Sequence, residues 1–395
     1  MPKNPTCGCG EPCIEQRPGK YRKVCRDCFN EARRTQHGRP KPPKKVEEKL
    51  DQVTEHRLKQ RNRELEEKNA ELLKEVVASN DYGEVLREVM ARQKNSRAPL
   101  IQPRERKSKL LEAMPLALAS DWHVEELVRP ESVAGRNRYN LAIAKKRMQR
   151  YFEAIRWSIK HQRDVFKIRD AMLWLGGDFI TNHLHDDDAE ENQLSPLNAI
   201  MFAEQGIIDG LTFLLEDEEI EQWVIPMNDG NHGRSPNTRR MRHATRTQHS
   251  LEVHMYAHIA NHFRNEKRLK FILPTSQYTF VDDVYGRTIR FLHGDTFKYS
   301  GGVGGIFIPM MKALARWEQV KKADLTCMGH WHQRINLPNV MVNSSLIGYN
   351  NYAMAGGFGF EPPSQSLRML EPTRWCSLDI PLWVSDKTDD ASYRG

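Results

Sequence analysis

Side chains that bind metal ions follow short apolar runs at five points of the chain. The residues concerned are Asp121 and His123, Asp178, Asn231 and His232, His293, and His330 and His332. Each apolar run before them has the length of a β-strand. Open α/β sheets bind ligands at the carboxyl ends of their strands, so we expect these side chains to lie along one edge of a sheet. A purely structural origin would require five coincidences.

These residue types indicate metal-assisted hydrolysis. Mixed nitrogen and oxygen ligands suit Mn²⁺, Fe or Zn²⁺ better than Ca²⁺. Two such cations ~3.5–4 Å apart lower the pKa of a bound water and hold the oxygens of a phosphoryl group during in-line attack on phosphorus. Glycines beside the candidate residues, such as Gly177 and Gly230, allow the close turns that bring backbone up to a metal or a phosphate.

The five groups of residues read, in chain order, D-x-H, G-D, G-N-H, a lone His and G-H-x-H. In this the chain resembles the calcineurin-like metallophosphoesterase superfamily, over about residues 112–350. The resemblance implies a first metal held by Asp121, His123, Asp178 and His332, and a second held by Asp178, Asn231, His293 and His330. It also implies that His232 protonates the leaving oxygen or stabilises charge on the phosphoryl group. The expected cofactors are two divalent ions, with Mn²⁺ preferred and Fe, Zn²⁺ or Mg²⁺ as alternatives.

Departures from the family pattern narrow the expected substrate. Protein phosphatases of this superfamily carry G-D-x-x-D-R-G and G-N-H-E, in which the second Asp orients the histidine. Here Thr181 stands where that Asp would be, and His232 is followed by Gly233. The missing carboxylate favours a phosphodiesterase or nuclease acting on nucleic acid. Taken as a whole, the sequence also resembles phage-encoded members of the superfamily.

Two further residues are candidates for binding substrate. Arg234 follows the third motif and can hold a flanking phosphate through two hydrogen bonds. His183 follows the second motif and precedes an acidic stretch, so it can contact substrate or metal. For both residues, a solvated surface loop is the competing interpretation.

The elements that must position these residues alternate between strands and amphipathic helices. Apolar runs predict strands at 114–119, 171–175, 222–226, 269–273, 288–292, 324–328 and 340–342, and helical periodicity predicts helices at 140–161, 199–216, 242–264 and 309–320. This alternation predicts an α/β protein. The family resemblance implies that residues 108–395 form a calcineurin-like β-sandwich flanked by helices.

Five of the seven cysteines precede residue 29, which predicts a small zinc-finger-like unit over residues 1–37. They are Cys7, Cys9, Cys13, Cys25 and Cys28. Four thiolates bind Zn²⁺ tetrahedrally, and a unit of this size needs the metal in order to fold. Cys25 and Cys28 are the expected ligands in the second pair, and any two of the other three complete the set. Such fingers bind nucleic acid or serve only as structural staples.

A Pro- and Lys-rich linker, 38–45, precedes a polar helical segment at 46–94. Leucines at 58, 65 and 72 follow a heptad repeat with Asn62 and Asn69 at position a, which is typical of a two-stranded coiled coil. We therefore expect a homodimer through residues 46–90. The alternative is a single exposed helix. A second linker, 95–107, contains two prolines.

Charge is concentrated in the N-terminal part of the 395-residue chain. Residues 1–110 hold 27 Lys and Arg against 17 Asp and Glu, while the rest hold 33 against 35, which together give the net charge of +8. A basic segment suits nucleic acid, or it is only a solvated linker.

The apolar runs fall short of the ~20 residues that span a bilayer. The expectation is a cytoplasmic hydrolase, in the host cytoplasm if phage-encoded; a phosphomonoesterase and a non-catalytic DNA-binding or assembly protein are the alternatives.

Overall fold

The computed structural model describes residues 15–17, 20–21, 25, 28, 88–91, 101–102, 110–182, 192–234, 247, 249–298 and 305–385. The chain divides into two units, Met1–Lys74 and Glu75–Gly395. In the first unit, β1 (Glu15–Arg17) and β2 (Lys20–Tyr21) pair antiparallel. Of the predicted helical segment 46–94, only residues 88–91 are described, and they are helical. The predicted linker 38–45, the predicted coiled-coil heptads and most of the predicted linker 95–107 lie outside the described residues.

The larger sheet of the second unit has six strands. A parallel core consists of β4 (Met114–Ala119), β6 (Asp170–Leu175), β7 (Gln222–Pro226) and β8 (Leu269–Ile272). Two antiparallel strands, β14 (Ser364–Glu371) and β15 (Trp375–Trp383), extend this sheet beyond β4. A separate parallel pair is formed by β3 (Leu111–Glu112) and β5 (Phe166–Lys167).

The smaller sheet has five strands, in the order β12–β13–β11–β10–β9. They are β9 (Thr279–Val284), β10 (Arg287–Phe291), β11 (Leu325–Met328), β12 (Ile335–Leu337) and β13 (Val340–Val342). The three central strands run parallel and the two outer strands are antiparallel to their neighbours. Parallel strands end at the same edge, so this sheet also presents a row of loops at one edge.

Five α-helices are described: α1 (Leu141–Gln162), α2 (Pro196–Leu215), α3 (Leu251–His262), α4 (Phe307–Val320) and α5 (Asn351–Ala355). The side chain of Asn140 caps α1 by accepting the N–H of Ile143 at 3.0 Å. Helix α3 begins later than the predicted residue 242, because Ser250 is extended and pairs with Arg234. A short 3₁₀ turn spans Pro130–Val133.

Alternating side chains along the strands separate the layers. On β4, Leu116 and Leu118 pack between the two sheets, whereas Ala117 and Ala119 face the helical layer on the other side. Helices α1, α2 and α3 cover the outer face of the larger sheet, and α4 covers the smaller one. The second unit is therefore a mixed α/β structure in which two facing sheets lie between helices, and the predicted α/β class is confirmed.

Candidate metal centre

The loops that follow five parallel strands bring the candidate ligands to one edge of the two sheets. Backbone hydrogen bonds join neighbouring loops there: Asp121 N–H donates to the carbonyl oxygen of Gly177 at 3.0 Å. In the smaller sheet, Gly329 N–H donates to the carbonyl oxygen of His293 at 2.8 Å. The predicted convergence of these loops is thus what the structure displays, although the metals themselves stay a prediction.

A first group of candidate ligand atoms belongs to Asp121, His123 and His332, which lie within 4.8 Å of one another. The Nε2 atom of His332 is 3.6 Å from Oδ1 of Asp121. The imidazole rings of His123 and His332 are separated by 5.2 Å between centroids. These three residues match the first metal site that the family resemblance implies.

A second group belongs to Asp178, His293 and His330, again within 4.8 Å of one another. His293 Nε2 lies 2.8 Å from Asp178 Oδ2 and 3.2 Å from the amide oxygen of Asn231. The rings of His293 and His330 are 5.2 Å apart between centroids. These residues and Asn231 match the implied second site.

Asp178 connects the two groups. It forms a third group with His123 and His232, also within 4.8 Å. Its Oδ1 accepts the backbone N–H of His232 at 2.8 Å, so the two carboxylate oxygens face different neighbours. Asp178 thus lies where it would contribute to both of the sites that the resemblance implies.

Five of the candidate ligands have a left-handed backbone. Their φ angles are 57° at Asp121, 46° at His123, 53° at Asp178, 69° at His330 and 52° at His332. Ten non-glycine residues of the described part of the chain share this conformation, so half of them are candidate ligands. Such backbone is uncommon and collects at functional sites, where the surrounding structure holds it in place.

Hydrogen bonds fix the orientation of two candidate histidines. The Nδ1–H of His293 donates to the carbonyl oxygen of Gly176 at 2.8 Å, which leaves Nε2 facing Asp178. His123 Nδ1 lies 3.1 Å from the hydroxyl of Thr181, which in turn donates to Glu126 at 3.4 Å. Partners of this kind set the tautomer of a ligating imidazole and raise its basicity.

A backbone carbonyl orients His232. Its Nδ1 lies 2.7 Å from the carbonyl oxygen of Thr181, and a carbonyl only accepts, so Nδ1 carries the proton. By the resemblance described above, Thr181 stands at the position where protein phosphatases of the superfamily carry the orienting carboxylate. The orienting contact is therefore present without its negative charge.

Glu252 is a residue of the site that sequence reasoning missed. It is fully buried on α3, and its two carboxylate oxygens accept the N–H groups of Phe179 and Gly230, both at 2.7 Å. It thus joins the loop of Asp178 to the loop of Asn231. Burial, and then the nearby Asp178 carboxylate, raise the pKa of Glu252 to about 8. Only its place within a predicted helix was readable from sequence.

A hydrogen-bond network that holds Asp121 was also not predicted from the sequence. The hydroxyl of Ser120 donates to Asp121 Oδ2, and this hydroxyl accepts the Asn343 amide at 3.0 Å. Gln365 on β14 accepts both the Asn343 amide at 3.1 Å and the backbone N–H of Ser120 at 3.0 Å. No sequence signal pointed to Gln365, because β14 lacks an apolar run.

The imidazoles of the centre differ in pKa: those of His123 and His330 are lowered, whereas those of His293 and His332 are raised. Burial, followed by the imidazoles of His232 and His332, holds the pKa of His123 well below its usual range. Burial and then His293 lower the pKa of His330 to about 4.

The Asp178–His293 pair behaves differently from these isolated imidazoles. Burial opposes both charges, but mutual attraction lowers the pKa of Asp178 well below its usual range and raises the pKa of His293 to about 10. In this pair His293 carries the proton and Asp178 is ionised, so His293 would release that proton on binding a cation. Neutral imidazole and ionised carboxylate are the forms that bind metals, so the donor set fits divalent cations.

A cavity of about 570 Å³ opens beside the centre. His123, Asp178, Asn231, His232 and His332 lie on its wall, together with Trp331 and residues of the 348–361 segment. Arg234 is not among the described residues that line it, and its Nε donates to the carbonyl oxygen of Asn231 at 2.6 Å. The predicted substrate-binding role of Arg234 stays a prediction. His183 lies outside the described residues.

In the N-terminal unit, Cys25 and Cys28 are close neighbours. The backbone N–H of Cys28 donates to the Sγ of Cys25 at 3.4 Å, and Cys25 is buried. This arrangement is compatible with two zinc thiolates on adjacent turns. Cys7, Cys9 and Cys13 lie outside the described residues, so the zinc site stays a prediction.

Comparisons with known proteins leave the chain without an assigned family. No family's sequence profile matches it, and no curated protein matches it. Among solved structures, one that is similar is the crystal structure of a hypothetical protein from Pyrococcus horikoshii OT3. The aligned region covers 69% of this chain and 90% of that protein. The identity is 10% and the TM-score is 0.33, a similarity too low to support an argument. Separately, no helix among the described residues is long and apolar enough to cross a membrane.

Proposed function

We propose that this chain is a two-metal phosphoesterase of the calcineurin-like type, acting on phosphodiesters. The observation that supports this is the pair of ligand groups, Asp121/His123/His332 and Asp178/His293/His330, connected through Asp178. Asn231 completes the second group through its amide oxygen, 3.2 Å from His293 Nε2. The two facing sheets between helices are the architecture that the family resemblance implies.

Each side chain has a role in this proposal. Bound divalent ions supply Lewis acidity, which activates water and neutralises charge on the phosphoryl oxygens. Asp178 would contribute to both sites, and His293 and His123 would present nitrogens oriented by Gly176 and Thr181. His232 lies on the cavity wall and delivers a proton to the leaving oxygen or stabilises the phosphoryl charge.

The orientation of His232 supports a phosphodiester in preference to a phosphoprotein. In the related protein phosphatases a carboxylate raises the basicity of this histidine, whereas here the partner is the Thr181 carbonyl. This departure from the phosphatase pattern is what favours a phosphodiester. Nucleic acid is the diester that the basic N-terminal region predicts, with structural zinc and a homodimer through 46–90 as further proposals.

The test measures metal content and substrate range together. Purified protein loaded with Mn²⁺ is assayed on bis(4-nitrophenyl) phosphate, 4-nitrophenyl phosphate, and labelled single-stranded DNA, double-stranded DNA and RNA. We expect two metals per chain and hydrolysis of the diester and of at least one nucleic acid. Asp178→Asn should abolish turnover and lower the metal content. The control is Asp282→Asn, an exposed carboxylate on β9 that pairs with Lys321 and lies away from the centre.

Three outcomes would change the proposal. Hydrolysis of the monoester alone would favour the phosphomonoesterase alternative. Two bound metals without turnover on any substrate would favour the non-catalytic DNA-binding or assembly alternative. Full activity in the Asp178→Asn variant would remove the two-metal site from the mechanism.

A further inference from the structure

Part of the cavity wall is aromatic. Tyr349, Tyr352 and Phe358 line it, and we call them the aromatic wall. Tyr352 lies on α5 and is 67% exposed, an unusual position for a large ring beside a buried polar site. Phe358 supports it, with ring centroids 6.0 Å apart and an angle of 25° between the planes. The contact with Phe358 orients the Tyr352 ring at the cavity, and most of the residue is exposed to solvent there.

The aromatic wall is fixed to the metal centre through hydrogen bonds. The side chain of Asn350 caps α5 by accepting the N–H of Ala353 at 3.0 Å. The same amide donates to Glu126 at 2.9 Å, and Glu126 accepts the hydroxyl of Thr181, the partner of His123. The distance from the candidate ligands to Tyr352 is therefore set by a continuous chain of contacts. A ligand can bridge the two regions without a rearrangement of the fold.

The charge of the cavity restricts what it can hold. Among the described residues that line it, there is no Lys or Arg, whereas Glu126 and Glu361 contribute carboxylates. A second phosphate bound there would meet these carboxylates with no Lys or Arg from the described lining to balance it. The side-chain amides of Gln333 and Asn351 also line the cavity. The lining thus suits a neutral, planar group with polar edges.

We propose that the cavity binds the nucleoside next to the scissile phosphate, with its base stacked on Tyr352. This inference rests on the proposed function, which gives the position of the phosphate. It adds the substrate class, because it specifies a nucleotide unit where the proposed function specifies only a phosphodiester. A volume of about 570 Å³ is within the range of small-molecule sites and accommodates one nucleoside. Stacking on an aromatic ring tolerates every base, so Tyr352 selects nucleosides without selecting sequence.

The experiment compares two diesters that share a leaving group. Thymidine 5′- and 3′-(4-nitrophenyl) phosphates carry the nucleoside, and methyl 4-nitrophenyl phosphate lacks it. We expect the wild-type protein with Mn²⁺ to show a higher kcat/KM for at least one thymidine ester than for the methyl ester. Tyr352→Ala and Tyr352→Leu should lower that ratio roughly 5- to 150-fold, mainly through KM, while Tyr352→Phe keeps it. Trp157→Ala, an exposed aromatic on α1 outside the cavity, should leave the ratio unchanged.

The possible outcomes separate this inference from the proposed function. If Tyr352→Ala and Tyr352→Leu leave the ratio of the two kcat/KM values unchanged, the nucleoside site is overturned. Turnover by the wild-type protein would still support the phosphoesterase. If the wild-type protein hydrolyses neither diester, equilibrium dialysis with thymidine monophosphate and Mn²⁺ replaces the kinetic assay. Weaker binding by Tyr352→Ala, with normal binding by Tyr352→Phe, then supports the nucleoside site. Equal binding by all variants overturns it.

Discussion

At the residue scale, hydrogen bonds hold the candidate ligand atoms in place. Asp178 presents Oδ1 to the backbone N–H of His232 and Oδ2 to His293, so neither oxygen can rotate without breaking a contact. His293 and His123 are held through Nδ1, which leaves Nε2 as the nitrogen for a metal. Preorganisation of this kind lets cations bind without reordering side chains.

His232 is predicted to act in the chemical step and not in metal binding. His232→Ala should lower kcat by about 10²- to 10⁴-fold, the usual contribution of a general acid, while two metals stay bound. Metal analysis alongside steady-state kinetics checks this. His262→Ala, an exposed histidine on α3, is the control and should match the wild type. Loss of a metal in His232→Ala would instead make His232 a ligand.

Glu252 is predicted to support metal affinity from outside the ligand set. Glu252→Gln keeps the shape but replaces one accepting oxygen with an amide donor, so the N–H of Phe179 or of Gly230 loses its acceptor. The metal Kd should rise about 10- to 100-fold, as for other residues that orient ligands. Titration with Mn²⁺ measures it, with Glu204→Gln, which pairs with His258, as the control. Equal affinities in all three proteins would contradict the prediction.

Sequence reasoning reached the side chains that carry motif chemistry and missed those that act through burial or backbone. The seven candidate ligands stand in recognisable patterns after apolar runs. Glu252 reads as an ordinary helical glutamate, and Gln365 lies in a polar stretch. His232 contacts the backbone carbonyl of Thr181 and not its side chain. The residue type at position 181 therefore could not predict this contact.

At the element scale, the site is made by turns more than by strands. The loops after β4, β6 and β11 place five candidate ligands in left-handed backbone, and the loops of β6 and β7 approach closely. Strands that are continuous apolar runs, such as β4, were predicted within a residue or two. Strands β9, β14 and β15 were not, because β9 contains two aspartates, β14 buries polar residues in hydrogen bonds, and β15 is an edge strand containing Pro381.

Gly230 is predicted to be irreplaceable because of this close approach. A Cβ there would overlap Asp178 Oδ1 and the backbone nitrogen of Asp178. Gly230→Ala should therefore displace the bridging carboxylate and abolish binding of at least one metal. Gly135→Ala is the control, since Gly135 has a left-handed φ of 74° but open space around it, and it should cost only about 1–2 kcal/mol of backbone strain. Two metals bound to Gly230→Ala would show that the loops can separate.

At the scale of the whole molecule, each implied metal takes ligands from both sheets. Asp121, Asp178 and Asn231 follow strands of the larger sheet, whereas His293 and His332 follow strands of the smaller one. The metals would thus join the two sheets at one edge, in addition to the apolar core between them. Sequence predicted the α/β class from alternation, but it contained no signal for which strands pair across the chain.

Metal removal is predicted to lower the stability of the whole second unit. A ligand that binds only the folded state at about 100 times its Kd adds ~2.7 kcal/mol, and two sites double this. The Tm should therefore rise by several degrees on addition of Mn²⁺ to protein treated with EDTA. Thermal unfolding followed by circular dichroism measures the shift. Asp178→Asn should lose most of it, and a Tm independent of metal in the wild type would contradict the prediction.

The bond between His232 and the Thr181 carbonyl has a consequence for mutagenesis. Every amino acid at position 181 supplies the same acceptor, so a scan of substitutions would disturb His123 through the lost hydroxyl and never report on His232. Even semisynthesis that converts the 181–182 amide into an ester would not change this acceptor alone, because it would also remove the Asn182 N–H that donates to Glu125 Oε1 at 2.8 Å. The contact that orients His232 is thus part of the main chain, and its effect on the rate has to be read from substitutions of His232 itself.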